Sequence, residues 1–409
     1  MSDNLRINTQ RLLDRIQALG KIGALEGGGV CRLALSDDDK AGRDLVISWM
    51  RELGLRISID GIGNVIGLRP GREDGAPVMT GSHIDTVRTG GLYDGNLGVL
   101  AGLEVIQVLN DANIQTRRPL AVGFFTNEEG ARFAPDMMGS LVYVGGLELE
   151  QALATTGIDG SSVGDNLDRI GYCGEAACGT PEVHAFVELH VEQGPLLEQE
   201  GVTLGAVTGV QGISWTEFTV YGVSNHAGTT PMSLRHDAAY LAGATIQFVR
   251  MLSGQIEGQL ATVGHLKLFP DLVNVIPNKA VFTVDLRNTD NALLQQAEQR
   301  LHDFLREMAV KEGVRVEHRS LARFEPVAFE PAMVERIERN ARALGHSIRR
   351  MPSGAGHDAQ MLARVCPTAM IFTPSVGGIS HNIKEYTAPA DIEAGANVLL
   401  STLLQLANE

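Results

Sequence analysis

Residues able to hold and use a metal ion gather in segment 81–98, GSHIDTVRTGGLYDGNLG, which carries His83, Asp85 and Asp94. A metal-bound imidazole usually has its second ring nitrogen held by a carboxylate, and His-x-Asp puts such a pair on one side of an extended chain. His83 is therefore read as a ligand and Asp85 as the group that orients it. Asp94 lies among Gly90, Gly91, Gly95 and Gly98, where the backbone can bend a second carboxylate back, and its two oxygens can serve two ions. Similar polar groups recur as Asn127-Glu128-Glu129-Gly130, as His190, Glu192 and Gln193 in LHVEQG, and as His381 in SHN. Two His with two carboxylates complete one ion. Three His with Asp and Glu can hold two, and a pair about 3.5–4 Å apart is a common hydrolase site. Adjacent residues point different ways, so one carboxylate of Glu128-Glu129 can bind metal while its neighbour stays free as a general base.

Apolar runs place these motifs. Segment 76–79 (APVM) reads as a buried strand before His83, and 97–109 as an apolar helix after Asp94. Segment 119–126 (PLAVGFFT) is a strand that ends in Asn127-Glu128-Glu129, and 183–189 is a strand that delivers His190. Ser36 before three Asp starts a helix over 40–53, stopped at Gly54, with strands at 55–60 and 64–68. Strands alternating with helices predict an α/β layer fold that binds ligands at strand ends.

From about residue 210 the pattern changes. Strand 214–221, helix 237–252, strands 260–269 and 279–287, helix 291–312 and strand 314–321 form a β-α-β-β-α-β series, the ferredoxin-like arrangement. After Arg323 the first style returns, with helix 332–344, a Gly-rich GAGHDA at 354–359, strand 368–372 and a last helix over 391–406. The expectation is an α/β catalytic domain, 1–209 with 325–409, interrupted by an inserted α+β domain, 210–324.

The 409 residues suggest two or three domains. The 34 basic against 49 acidic residues, net −15, disfavour nucleic acid or an anionic membrane as partner, though not a small anionic substrate. The opening MSDNLRINTQRLLDRIQALG lacks the segments of a secretion signal, and no run of eighteen apolar residues occurs. A cytoplasmic protein is expected. Cys31, Cys173, Cys178 and Cys366 lack zinc-finger spacing and fit reduced thiols.

Taken together, GSHIDTVRTGGLYDGNLGVLAGLEV, TNEEGARF, LHVEQGPLLE, NHAGTTPM, NVIPNKAVFTVDLR, GAGHDAQ and SHNIKEYT resemble motifs of the N-carbamoyl-L-amino-acid and allantoate amidohydrolase family, relatives of aminoacylase and carboxypeptidase G. The likeness runs over nearly the whole chain, and KIGALEGGGVCRLALSDDDKAGRDL is similar to its hydantoin-utilising branch. The resemblance implies a metallopeptidase-like catalytic domain with a ferredoxin-like lid that mediates a homodimer. It implies that Asp94 bridges two divalent ions, with His83 and His190 completing one and Glu129 and His381 the other. Zinc or manganese comes first, and cobalt or nickel would also suit such mixed ligands. Glu128 would be the general base, and His226 would reach the partner's site to stabilise the oxyanion. Asn274 and Arg287 would hold a substrate carboxylate, and Gln193 and His357 would line the pocket. For Arg287 the chemistry agrees independently, because a planar fork matches a carboxylate with two hydrogen bonds.

The activity so implied is hydrolysis of the ureido C–N bond of a small carboxylate-bearing substrate, an N-carbamoyl-L-amino acid, to amino acid, ammonia and carbon dioxide. Allantoate or ureidoglycolate amidohydrolase is the nearest alternative, and a dipeptidase or aminoacylase a more distant one. A catalytically dead scaffold would have lost Glu128 or a ligand, and none is missing. One departure is Ile383, where many relatives carry Pro, which bears only on local loop shape.

Overall fold

The computed structural model describes residues 5–409; the first four residues of the opening read for a secretion signal lie outside it. The chain divides into two compact units, one running up to Gly209 and resumed at Ala328–Glu409, the other Val210–Val327. The second junction thus falls at 327/328, against 324/325 from the sequence. None of the described helices is long and apolar enough to cross a membrane.

The first unit is built on a nine-stranded sheet whose centre is four parallel strands in the order Leu120–Phe125, Val78–His83, Ala185–Val191, Thr368–Thr373. Every residue of these four is buried, which explains their near-continuous apolar sequences: parallel strands are covered on both faces. The strand expected at 76–79 begins at Val78 and runs on to His83 itself. Helix Asn96–Asp111 is buried along most of its length and packs on this sheet, as does Pro389–Leu406. Helix Asp37–Glu52 starts as read, with Ser36 Oγ accepting from the Asp39 amide at 3.1 Å. Its buried Arg43 pairs with Asp39 (2.8 Å) and donates to Thr126 Oγ1 (3.2 Å), tying the helix to the chain just ahead of Glu128.

Between Phe125 and Ala185 the chain forms the short helices Met138–Tyr143, Leu149–Ala154 and Val163–Ile170. Helix Thr9–Leu19 and strands Leu204–Val210 and Ile348–Ser353 are elements that the sequence patterns did not single out.

The second unit has the β-α-β-β-α-β order. Its four-stranded antiparallel sheet runs Arg315–Phe324, Gly212–Tyr221, Lys279–Asn288, Leu260–Phe269. Alternate residues Phe218, Val220, Phe282, Val284 and Leu286 face helices Ala238–Leu252 and Asn291–Glu312, which close one core with them.

Candidate metal centre

All four central strands point their carboxyl ends at one place. His83 is the last residue of its strand, His190 the penultimate residue of the next, Glu128 and Glu129 follow Leu120–Phe125 by a short turn, and His381 lies in the loop after Thr368–Thr373. Asp94 arrives on the loop before helix Asn96–Asp111, whose cap is Gly95 at φ +65. A side chain there would collide with the His83 ring as well as strain the backbone, so glycine at 95 lets Asp94 and His83 approach each other.

Asp94 is the hub. Its Oδ1 lies 3.2 Å from His190 Nε2 and 3.7 Å from His83 Nε2, and its Oδ2 lies 3.3 Å from His381 Nε2. His381 Nε2 is also 3.3 Å from Glu129 Oε2. Donor atoms of His83, Asp94 and His190 lie within 4.8 Å of one another, as do those of Asp94, Glu129 and His381. The Nδ1 atoms of His83 and His190 each contact a backbone carbonyl, those of Asp85 and Val191, at 2.9 Å. Carbonyls only accept, so each Nδ1 carries a proton, and Nε2, which faces Asp94, is the ring nitrogen left for a metal.

The role expected of the Asp85 side chain needs correction. His83 is oriented by the Asp85 backbone carbonyl, whereas the carboxylate accepts from the backbone N–H groups of Glu128 and Glu129, at 3.3 Å each. The strand ends at His83, so the same-side geometry of an extended His-x-Asp does not persist to residue 85. Asp85 clamps the Glu128-Glu129 turn instead, behind Asn127 in the left-handed conformation (φ +57). Burial, with Asp39 nearby, pushes the Asp85 carboxyl up to about 7.

Burial and neighbouring carboxylates push Glu128 and Glu129 well above the usual range. Burial drives His83 down to about 4. At His190 burial opposes the charged form, but the hydrogen bond and charge of Asp94 win and raise it to about 9. Asp94, despite burial, is held well below its ordinary value by His190 and His381. The fit to divalent cations follows from this donor set: the side chains of Asp94, Glu128 and Glu129, none more than 9% exposed, converge with imidazoles, and no Lys or Arg pairs with them in any described ion pair. Cations of charge two would satisfy them and reverse the upward shifts.

Around these groups is a cavity of about 100 Å³ whose wall includes Asp136, Gln193, Gly356 and His357. Gln193, at φ +58, donates from Nε2 to Asp94 Oδ2 at 3.0 Å. His357 is buried against the His190 ring (4.5 Å between centroids), its Nε2 is 2.8 Å from Ser353 Oγ, and burial keeps it neutral. Glu192 turns away to accept from the Leu196 and Leu197 amides. Sequence reasoning passed over Asp136 and Glu385. The only available signal for Glu385 was its place in SHNIKEYT.

His226, Asn274 and Arg287 belong to the second unit. The His226 and Asn274 segments are paired there, through the bridge His226–Val275 and the Ala227 amide bonded to the Asn274 carbonyl at 2.9 Å. The Arg287 guanidinium is braced by Asp285 (3.0 Å) and lies 5.8 Å from the Trp215 ring centroid.

Strand-end imidazoles and acids arranged about one shared carboxylate, on a sheet of parallel strands, are the pattern of a metal-dependent hydrolase. The chain belongs to the peptidase family M20/M25/M40, whose model matches residues 79–405. It is 42% identical over 407 residues to an N-carbamoyl-L-amino-acid amidohydrolase of Rhizobium meliloti, covering 99% of this chain and 98% of that one. An allantoate amidohydrolase of Bacillus subtilis is 34% identical, with 97% of each chain covered. The crystal structure of an amidase of the hydantoinase/carbamoylase family from Burkholderia multivorans superposes with a TM-score of 0.96 at 46% identity, covering 99% of both chains.

Proposed function

We propose that this protein hydrolyses the ureido C–N bond of N-carbamoyl-L-amino acids, using two divalent ions. The observation that carries the dinuclear reading is the division of Asp94: Oδ1 faces His83 and His190, Oδ2 faces His381, and Glu129 stands on the His381 side. The substrate class rests on the amidohydrolase relative with 42% identity. In this reading His83, His190 and Asp94 hold one ion, and Asp94, Glu129 and His381 the other, with zinc or manganese as the metal. Bound there, the ions would polarise the ureido carbonyl and lower the pKa of an attacking water.

The remaining work falls to the chain's own groups. Glu128 stands 3.4 Å from His83 Nε2 and is not needed as a ligand, so it takes the water's proton as oxygen adds to the ureido carbon. It then returns the proton to the leaving nitrogen as the C–N bond breaks, and carbamate breakdown gives amino acid, ammonia and carbon dioxide. Arg287, with Asn274, holds the substrate carboxylate, Gln193 and His357 shape the pocket, and His226 from a second copy stabilises the oxyanion.

A homodimer through Val210–Val327 is part of this proposal, that unit also serving as lid. It is supported by exposed Leu260 and Leu266 on the edge strand and by Tyr240, Ile246 and Met251 on helix Ala238–Leu252. The cytoplasmic assignment is supported by four free cysteines.

A panel of N-carbamoyl-L-amino acids, allantoate, N-acyl amino acids and dipeptides, run on enzyme loaded with each metal, tests the reading. Hydrolysis of allantoate in preference to every carbamoyl amino acid would replace it. Glu128→Gln should keep both ions and lose roughly 10²–10⁴ in kcat; an undiminished rate would remove the base assignment.

A further inference from the structure

The loop that supplies His381 also carries a buried acid that no step above uses. Glu385 Oε1 accepts from the backbone N–H groups of Tyr93 and Asp94, each at 3.1 Å, and its Oε2 accepts from Ser380 Oγ at 3.2 Å. Ser380 Oγ lies 3.3 Å from Asp94 Oδ2 as well. Gly91 is shaped to this contact: a carbon added there would overlap Oε1, Cβ and Cδ of Glu385, although its backbone is not left-handed. Two segments far apart in the chain are thus fastened by one side chain, 5% exposed, next to the carboxylate on which both donor groups depend.

We propose that Glu385 is a positioning residue that fixes the hub carboxylate, Asp94, relative to His381, so that the two ion sites form together. The inference rests on the dinuclear reading. It assigns Glu385 no contact with metal or substrate, and it assigns the glycine at 91 a purpose, which is to leave room for that side chain. Groups that hold metal ligands in place typically change affinity by about 10–100-fold when removed.

The test is metal affinity, measured by competition with a chromophoric chelator on the full-length protein without substrate. Glu385→Ala should weaken binding of the second manganese or zinc ion about 10–100-fold. Activity should return as metal concentration is raised, with KM little changed. Glu385→Gln keeps an acceptor for both amides and should stay within about threefold of wild type. Gly91→Ala, which displaces Glu385 without altering it, should reproduce the Glu385→Ala loss, and the double variant should be no worse than either alone because both break one contact. If Glu385→Ala does not fold, Gly91→Ala with Glu385→Gln carries the test.

Wild-type affinity in Glu385→Ala, or in Gly91→Ala, would overturn the inference. So would additive losses in the double variant, or a Glu385→Gln enzyme as impaired as Glu385→Ala. A wild-type protein that binds fewer than two ions would instead remove the dinuclear reading, and this inference with it.

Discussion

Asp85→Ala separates two roles that the spacing of His-x-Asp cannot. The substitution leaves the backbone carbonyl that holds His83 Nδ1 at 2.9 Å, and deletes the carboxylate that accepts from the Glu128 and Glu129 amides at 3.3 Å each. A buried donor left without a partner costs about 1–3 kcal/mol, and contacts this long sit at the low end, so the two amides together cost about 2 kcal/mol. Relief from burying a carboxyl whose pKa is pushed up to about 7 offsets part of that. A net loss of about 1.5 kcal/mol follows, or roughly 4 °C in Tm at ~2–4 °C per kcal/mol for a unit of this size. On the dinuclear reading, metal affinity should fall on one side only, at the Glu129–His381 site and not at the His83–His190 site. Chelator competition on Asp85→Ala, His83→Ala, Glu129→Ala and the paired doubles resolves this. Asp85 should couple to Glu129 by ~1 kcal/mol or more and to His83 by less than ~0.5 kcal/mol. Coupling to His83 instead would refute the assignment and restore the carboxylate as the ring's orienter.

Two further outcomes are expected. Arg287→Ala should cost about 2 kcal/mol of binding, some thirtyfold in kcat/KM, on substrates with a carboxylate, chiefly through KM; an equal rate on carboxylate-free ureas by the intact enzyme would remove the clamp. In the second unit, burial and the nearby His318 and Arg306 lower the His302 pKa, against the weaker pull of Glu298 and Asp303. The unfolded chain then binds the extra proton more readily, so stability is present above about pH 6.5 and falls as the pH drops below it. Thermal melts between about pH 7.5 and 5 should show a steeper loss in wild type than in His302→Gln, and parallel curves would disprove the contribution.

The residues of the centre were legible because buried parallel strands leave a plain trace: apolar runs such as LAVGFF and AFVELHV that stop at polar groups. What the sequence hid is how those groups are held. The two bonds from Glu385 span 292 and 291 positions, and nothing local announces them. Asp85 was misread because the period-2 argument needs extended chain, which ends at His83. The strand Leu204–Val210, LGAVTGV, carries two glycines and has little alternation, so it blends with its surroundings. Helix Thr9–Leu19 has only three buried residues, Leu12, Ile16 and Leu19, a narrow stripe within a polar segment.

The loops that carry the chemistry share one backbone feature, which bears on how ions would bind. Asn127, Gln193 and His381 are non-glycine residues at φ +57, +58 and +53, one in each of the loops that follow Leu120–Phe125, Ala185–Val191 and Thr368–Thr373. Each such residue costs of order 1 kcal/mol and persists only where its surroundings over-determine it. Those surroundings are visible: Asn127 Nδ2 donates to the Phe133 and Pro135 carbonyls at 2.8 and 3.1 Å, the Gln193 amide donates to Ser375 Oγ at 3.0 Å, and Thr89 Oγ1 lies 3.4 Å from the His381 carbonyl. These bonds and the Asp85 clamp use no metal. The strained geometry is thus braced by the chain's own hydrogen bonds, and a cation held by these donors would lose little to ordering of the loops.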